Sequence, residues 1–157
     1  MKLHPVVRFI IALALPLLVG AIAGKFTTEA IPGWYENLNR PSFSPPNWVF
    51  APVWTTLYLL MGISMFLIWS LQETQERNNA LGIYWIQLFL NFSWSFLFFY
   101  FKAPEVAFVE IVLLWIFIII LIQKFYKLKP LAAYLNVPYL LWVSFATILT
   151  AAYAYLN

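Results

Sequence analysis

Apolar residues run along this chain in five long blocks, at about 6–24, 46–71, 81–101, 105–123 and 131–155, and the polar residues gather between them. A helix that crosses the hydrocarbon core of a bilayer needs about 20 mostly apolar residues. Each block therefore reads as a membrane-spanning helix. The connections are a long loop at 25–45, a polar turn at 72–79, a tight turn at 102–104 and a basic turn at 124–130. Short connections make neighbouring spans antiparallel. With no internal repeat and no shift in composition, residues 1–157 read as a single all-α membrane domain, a bundle of five transmembrane helices.

Composition agrees. The chain is 64% hydrophobic and 10% charged, whereas a soluble domain carries about 25% charged residues. So few charges leave a water-facing surface uncovered. A net charge of +3 calls for no nucleic-acid partner. With no cysteine, disulfides, thiolate chemistry and cysteine metal sites are excluded; with His4 as the single histidine, neither a zinc centre nor a His-dependent triad is expected, and no metal site is expected. The opening Met-Lys-Leu-His-Pro leads into an apolar run that ends without a small-residue cleavage site, so the first span reads as retained. Lys2, Arg8, Arg77, Lys124, Lys127 and Lys129 fall on the N-terminal side of the bundle, against Lys25, Arg40 and Lys102 on the other. The positive-inside rule then places the N-terminus in the cytoplasm, for a bacterial cell membrane.

The stretch from Trp34 to Trp54, WYENLNRPSFSPPNWVFAPVW, is dense in proline and aromatic rings and runs straight into the second span. Pro41, Pro45 and Pro46 fix their own φ and push each preceding residue to extended backbone, so this loop is stiff. Ser44 reads as an N-cap with proline in the first helical turn. Two readings stand for the loop, a lid over a pocket or a connector at the membrane interface, where Trp and Tyr are common in any case.

Several spans carry a ring-rich or polar stripe. Gly20 and Gly24 in the first have GxxxG spacing, suited to packing a second helix or to close approach of a flat ligand; Pro16 precedes them as a bending point. Ala51, Trp54, Tyr58 and Met61 share a face of the second, where Pro52 predicts a bend. Gln87, Asn91, Trp94, Ser95 and Phe98 share a face of the third. An unpartnered amide is costly in hydrocarbon, so Gln87 and Asn91 face protein or a cavity. Glu110 in the fourth is expected to snorkel or pair with a lysine; the rest of that span, uniformly aliphatic, faces lipid or a second copy. Pro138 interrupts the fifth, and Tyr139, Trp142, Ala146 and Thr150 follow on one face.

Turned inward, these faces make an apolar pocket walled by large rings with few polar groups, the usual make-up of a ligand site. Flat aromatic molecules stack on indole and phenol rings. A porphyrin or a steroid suits such a pocket; a metalloporphyrin that needs an axial histidine does not. Mid-membrane charge pairs and inverted repeats of the transporter kind are missing.

Three motifs carry a resemblance. They are the run from Trp34 to Gly62, the run QLFLNFSWSFLFF from Gln87 to Phe99, and PYLLWVSFAT from Pro138 to Thr147. Together they resemble the signature of the tryptophan-rich sensory protein/translocator protein family, also called peripheral benzodiazepine receptor-like, and the likeness extends over essentially the whole chain. It implies a five-helix bundle, a homodimer, and a pocket beneath the first loop that takes protoporphyrin IX or, in some members, cholesterol or benzodiazepine-like drugs. It implies that Trp34, Trp48, Ala51, Trp54, Tyr58, Asn91, Trp94, Tyr139, Trp142 and Ala146 bind the ligand. It also implies that Trp54 and Trp142 match the pair tied, in some bacterial members, to light-dependent breakdown of protoporphyrin IX. No resident cofactor is implied, the porphyrin being ligand or substrate. The alternative is a non-catalytic carrier or regulatory scaffold that uses the same pocket for lipid, steroid or drug-like ligands. The chain departs from the family in carrying Thr150 where asparagine is common. It also has no basic residue after Tyr153 or Tyr155, where animal members carry a cholesterol motif.

Overall fold

The computed structural model describes residues 3–157; Met1 and Lys2, the latter counted above among the basic residues, lie outside the described residues. Five helical stretches are long and apolar enough to cross a membrane. They are α1 (Pro5–Ala30), α2 (Phe50–Trp69) entered through a 3₁₀ turn at Asn47–Val49, α3 (Gln75–Ser95) continued by a π turn at Phe96–Tyr100, α4 (Pro104–Leu128), and the broken pair α5 (Pro130–Tyr134) and α6 (Val137–Leu156). The ends differ from the sequence reading for local reasons. α1 continues to Ala30 because Lys25 and Glu29 face each other 3.9 Å apart one turn on, and the Thr27 and Thr28 hydroxyls donate back to the carbonyls of Ala23 and Gly24. The turn before α3 is shorter than 72–79, because Thr74 caps the helix by accepting from the Arg77 amide at 3.1 Å. Arg77 then reaches back to the open carbonyls of Trp69 and Leu71, closing α2 as well. Lys124 and Lys127 ride on the last turns of α4 rather than in a loop.

Ser44 is not the N-cap of α2. Its hydroxyl is paired with the Tyr153 hydroxyl at 3.0 Å, and the helical turn starts at Asn47 without a side-chain cap. Pro52 falls in the first α-helical turn, where a missing N–H costs nothing. The chain therefore adjusts by passing from 3₁₀ to α winding at Phe50 rather than by bending in mid-membrane. Pro138 does mark a break: α5 ends at Tyr134, and α6 starts one residue before the proline.

The bundle packs around two clusters. The larger unites Met61, Met65 and Ile68 of α2, Tyr84 and Leu88 of α3, Ile111, Leu114, Ile118, Leu121 and Phe125 of α4, and Tyr139 and Val143 of α6. The smaller lies at the end that carries the long loop and joins Tyr35, Phe98, Phe99, Leu149 and Tyr153. α4 is not given over to lipid: Ala107, Ile111, Leu114, Ile118, Leu121 and Phe125 form a fully buried stripe at helical spacing, while Val106, Val109, Leu113 and Ile116 face outward. Lipid and core are both apolar, so the sequence does not distinguish those two faces. Among the described residues Glu110 meets no lysine; its Oε1 accepts from the Ser93 hydroxyl at 2.8 Å. Arg8 lies 5.9 Å from the Trp69 ring, which puts the start of α1 beside the end of α2 as the alternation of spans requires.

Candidate functional site

Between the upper halves of α1, α2, α3 and α6 lies a cavity of about 500 Å³, within the range of about 300–1,000 Å³ usual for small-molecule sites. Small residues of α1 make one side: Gly20, Ala21, Ala23, Gly24 and the threonines Thr27 and Thr28. Rings make much of the rest, with Phe50, Trp54 and Tyr58 from α2, Trp94 and Phe98 from the third span, Trp142 and Tyr153 from α6, and Tyr35 from the loop above. Ala21, Gly24, Thr28, Ala51 and Thr55 are on the wall and also exposed. The cavity is thus open along the cleft between the end of α1 and the start of α2.

The rings are held in fixed order. Trp54 stacks on Tyr58 at 5.6 Å between centroids and meets Tyr139 edge-on at 6.3 Å. Trp94 stacks on Phe98 at 5.2 Å, and Trp142 packs between Phe50 and Phe145. Beneath them runs a buried hydrogen-bond chain. The Tyr58 hydroxyl donates to Asn91 Oδ1 at 2.6 Å, Asn91 Nδ2 donates to the Tyr139 hydroxyl at 2.9 Å, and that hydroxyl donates to Gln87 Oε1 at 2.8 Å. Both amides therefore find protein partners across three helices, as their cost in hydrocarbon demands. Asn91 also reaches the wall; Gln87 does not. The indole N–H groups of Trp94 and Trp142 are buried without an acceptor among the described residues.

Of the ten residues expected to bind a ligand, Ala51, Trp54, Tyr58, Asn91, Trp94, Trp142 and Ala146 come together on the cavity wall. Three stand elsewhere. Tyr139 lies one layer behind, fully buried and holding Asn91. Trp34 packs edge-on against Phe98 at 5.5 Å and braces the wall from outside. Trp48 is 75% exposed, because it belongs to the 3₁₀ turn and points away before α2 begins. Conversely, Tyr35, Phe50 and Tyr153 line the cavity without having been anticipated. Tyr153 extends the stripe of Trp142, Ala146 and Thr150 by one more turn, and that periodicity was there to be read.

The loop is a cover tied down at several points. The Tyr153 hydroxyl donates to that of Tyr35 at 2.9 Å. Burial pushes the Tyr35 phenol above its ordinary range, with the Tyr153 contact adding to this. The backbone N–H of Asn39 donates to Asn157 Oδ1 at 2.8 Å, and Asn157 Nδ2 returns a bond to the Asn39 carbonyl. Tyr35 and Asn47 of this stretch form part of the cavity wall.

Residues 12–156 match the model of the TspO/MBR family. Over 148 residues the chain is 38% identical to the tryptophan-rich protein TspO of Chlorobaculum tepidum, covering 94% of each chain. It is 34% identical over 152 residues to a protein of the same name from Archaeoglobus fulgidus, covering 97% of this chain and 98% of that one. It is also 36% identical over 147 residues to the translocator protein of Homo sapiens, covering 92% of this chain and 85% of the relative.

Proposed function

The chain belongs to the TspO/MBR family of membrane proteins, and from that footing we propose that it binds protoporphyrin IX in the cavity under the first loop and senses, scavenges or photo-oxidatively degrades it. The observation that carries the reading is the wall itself: a space of about 500 Å³ bounded on one side by glycine and alanine and on the others by Trp54, Trp94, Trp142, Phe98 and Tyr58. A flat macrocycle lies against the small-residue side and stacks on the rings opposite. In this reading Trp54 and Trp142 face the macrocycle and exchange an electron or reactive oxygen species with it under light. A carrier or scaffold for lipid or steroid draws on the same cavity, and illumination separates photochemical breakdown from the non-catalytic roles.

The test is a titration of purified protein with protoporphyrin IX in the dark, followed through tryptophan fluorescence, and then illumination while the absorption spectrum is recorded. Saturable quenching followed by a new product spectrum is expected. Trp54→Phe and Trp142→Phe keep dark binding within about threefold, since a ring still stacks, and lose the light-dependent conversion. Undiminished conversion in both variants refutes the photochemical role. Saturable binding without conversion in the wild type leaves a sensor or carrier.

We further propose a bacterial cell-membrane location with the N-terminus in the cytoplasm, supported by Arg8, Arg77, Lys124, Lys127 and Lys129 lying at one end of the bundle. The chain has no cysteine of its own, so single cysteines report topology without background. In intact cells, Ser42→Cys in the first loop is expected to react with an impermeant maleimide and Gln72→Cys to be protected; the reverse pattern inverts the orientation.

A further inference from the structure

Among the described residues the cavity wall carries no charged side chain. The charge held beside it is Arg40, in the loop above. Its guanidinium lies 5.6 Å from the ring centroid of Tyr35, and its Nη2 donates to Asn47 Oδ1 at 3.4 Å. Tyr35 and Asn47 are both wall residues. Further bonds from Nη2 to the Pro45 carbonyl at 3.2 Å and to the Ser44 hydroxyl at 3.4 Å fix the group in place. All of these contacts use one nitrogen. The N–H groups on Nε and Nη1 make no hydrogen bond, and no carboxylate lies within ion-pair distance among the described residues.

A guanidinium presents its donors as a planar fork that fits a carboxylate with two parallel bonds. Here the loop's acceptors anchor one nitrogen and leave the others unused. Part of the side-chain entropy cost of recruiting a long exposed cation is already met in the unliganded protein. Ser44, Asn47 and the Tyr153 hydroxyl give this rim a polar edge. We infer that the site takes a flat apolar body bearing a carboxylate, with the rings among the indoles and the carboxylate on the open edge of Arg40, so that Arg40 selects the acid over its neutral ester. This rests on the macrocycle reading above. The plainer role for Arg40 is to brace the loop through Ser44, Pro45 and Asn47, and the two roles predict different data.

The experiment compares protoporphyrin IX with its dimethyl ester, in the dark, on the wild type, Arg40→Gln and Arg40→Lys. The wild type is expected to bind the diacid about five- to tenfold more tightly than the ester, the scale of a charge-assisted contact discounted for exposure. Arg40→Gln removes most of that preference by weakening the diacid alone. Arg40→Lys keeps part of it, having the charge without the fork. Equal weakening of both ligands in Arg40→Gln assigns the residue to loop bracing and overturns the inference. So does a wild type that binds acid and ester alike, although saturable binding of both leaves the macrocycle reading intact. If neither ligand binds saturably, the macrocycle reading fails and this inference falls with it.

Discussion

Replacing Gly62 by alanine destabilises the protein by about 3 kcal/mol, the upper part of the range for over-packing a close contact. A methyl group at this position falls 2.7 Å from the Ala12 carbonyl oxygen and 2.9 Å from Leu13 Cα. Both are backbone atoms of α1, so no side-chain rotation relieves the clash, and the helix must move. α1 is the element with most to lose by moving. It supplies the small-residue side of the cavity, and Ala12 is fully buried against α2. The gain in helix propensity from Gly to Ala, up to about 1 kcal/mol, offsets only part of the penalty. The apparent thermal midpoint in detergent is expected to fall by roughly 6–12 °C. Gly82→Ala is the control: a methyl there meets nothing within 4 Å, so the midpoint holds or rises. A Gly62→Ala protein as stable as the wild type shows that α1 and α2 do not meet in this way.

The same glycines show what the sequence does and does not reveal. Five spans were legible because lipid excludes polar side chains and leaves long unbroken apolar runs, a coarse signal that survives ignorance of packing. The contact of α1 with α2 was not. GxxxG spacing at Gly20 and Gly24 pointed to packing there, yet the backbones meet at Gly62, which belongs to no such pair. Gly20 does take a partner, the ring of Tyr58, but Gly24 opens on free space. Spacing records which residues share a face, and only the assembled bundle decides what that face meets.

The site residues divide along the same line. Trp54, Tyr58, Asn91, Trp94, Trp142 and Ala146 fall on shared helix faces by period, and the bundle brings those faces together on one cavity wall. Trp48 lies six residues before Trp54, but it belongs to the 3₁₀ turn Asn47–Val49, the winding changes to α at Phe50, and its side chain is turned outward. Tyr139 shares its stripe with Trp142 yet sits a layer deeper, where Gln87 and Asn91 take up its hydroxyl. Periodicity gives direction around a helix, not depth, and this is why second-layer residues are mistaken for wall.

Gly24→Leu is expected to leave the fold intact and weaken the proposed porphyrin binding more than tenfold. Position 24 is on the wall and exposed, and a Cβ built there has nothing within 4 Å. Leucine is a better helix former than glycine by up to about 1 kcal/mol, so α1 holds or gains stability. Its isobutyl group has only the cavity or its open cleft to occupy, and the small-residue side on which a flat ring would lie is lost. A ligand that must tilt away gives up contact area across its whole face, each buried CH₂-sized patch contributing about 0.8 kcal/mol. Two such losses already exceed tenfold. The check is the dark titration together with the thermal midpoint on the same preparation. An unchanged midpoint with weakened binding places the ligand against α1. Wild-type affinity in a folded Gly24→Leu protein moves the ligand off that wall, and the cavity then loses its claim to be the porphyrin site. The contrast with Gly62→Ala is the stronger result. One glycine of α2 is needed for the helices to meet, and one of α1 for them to leave room.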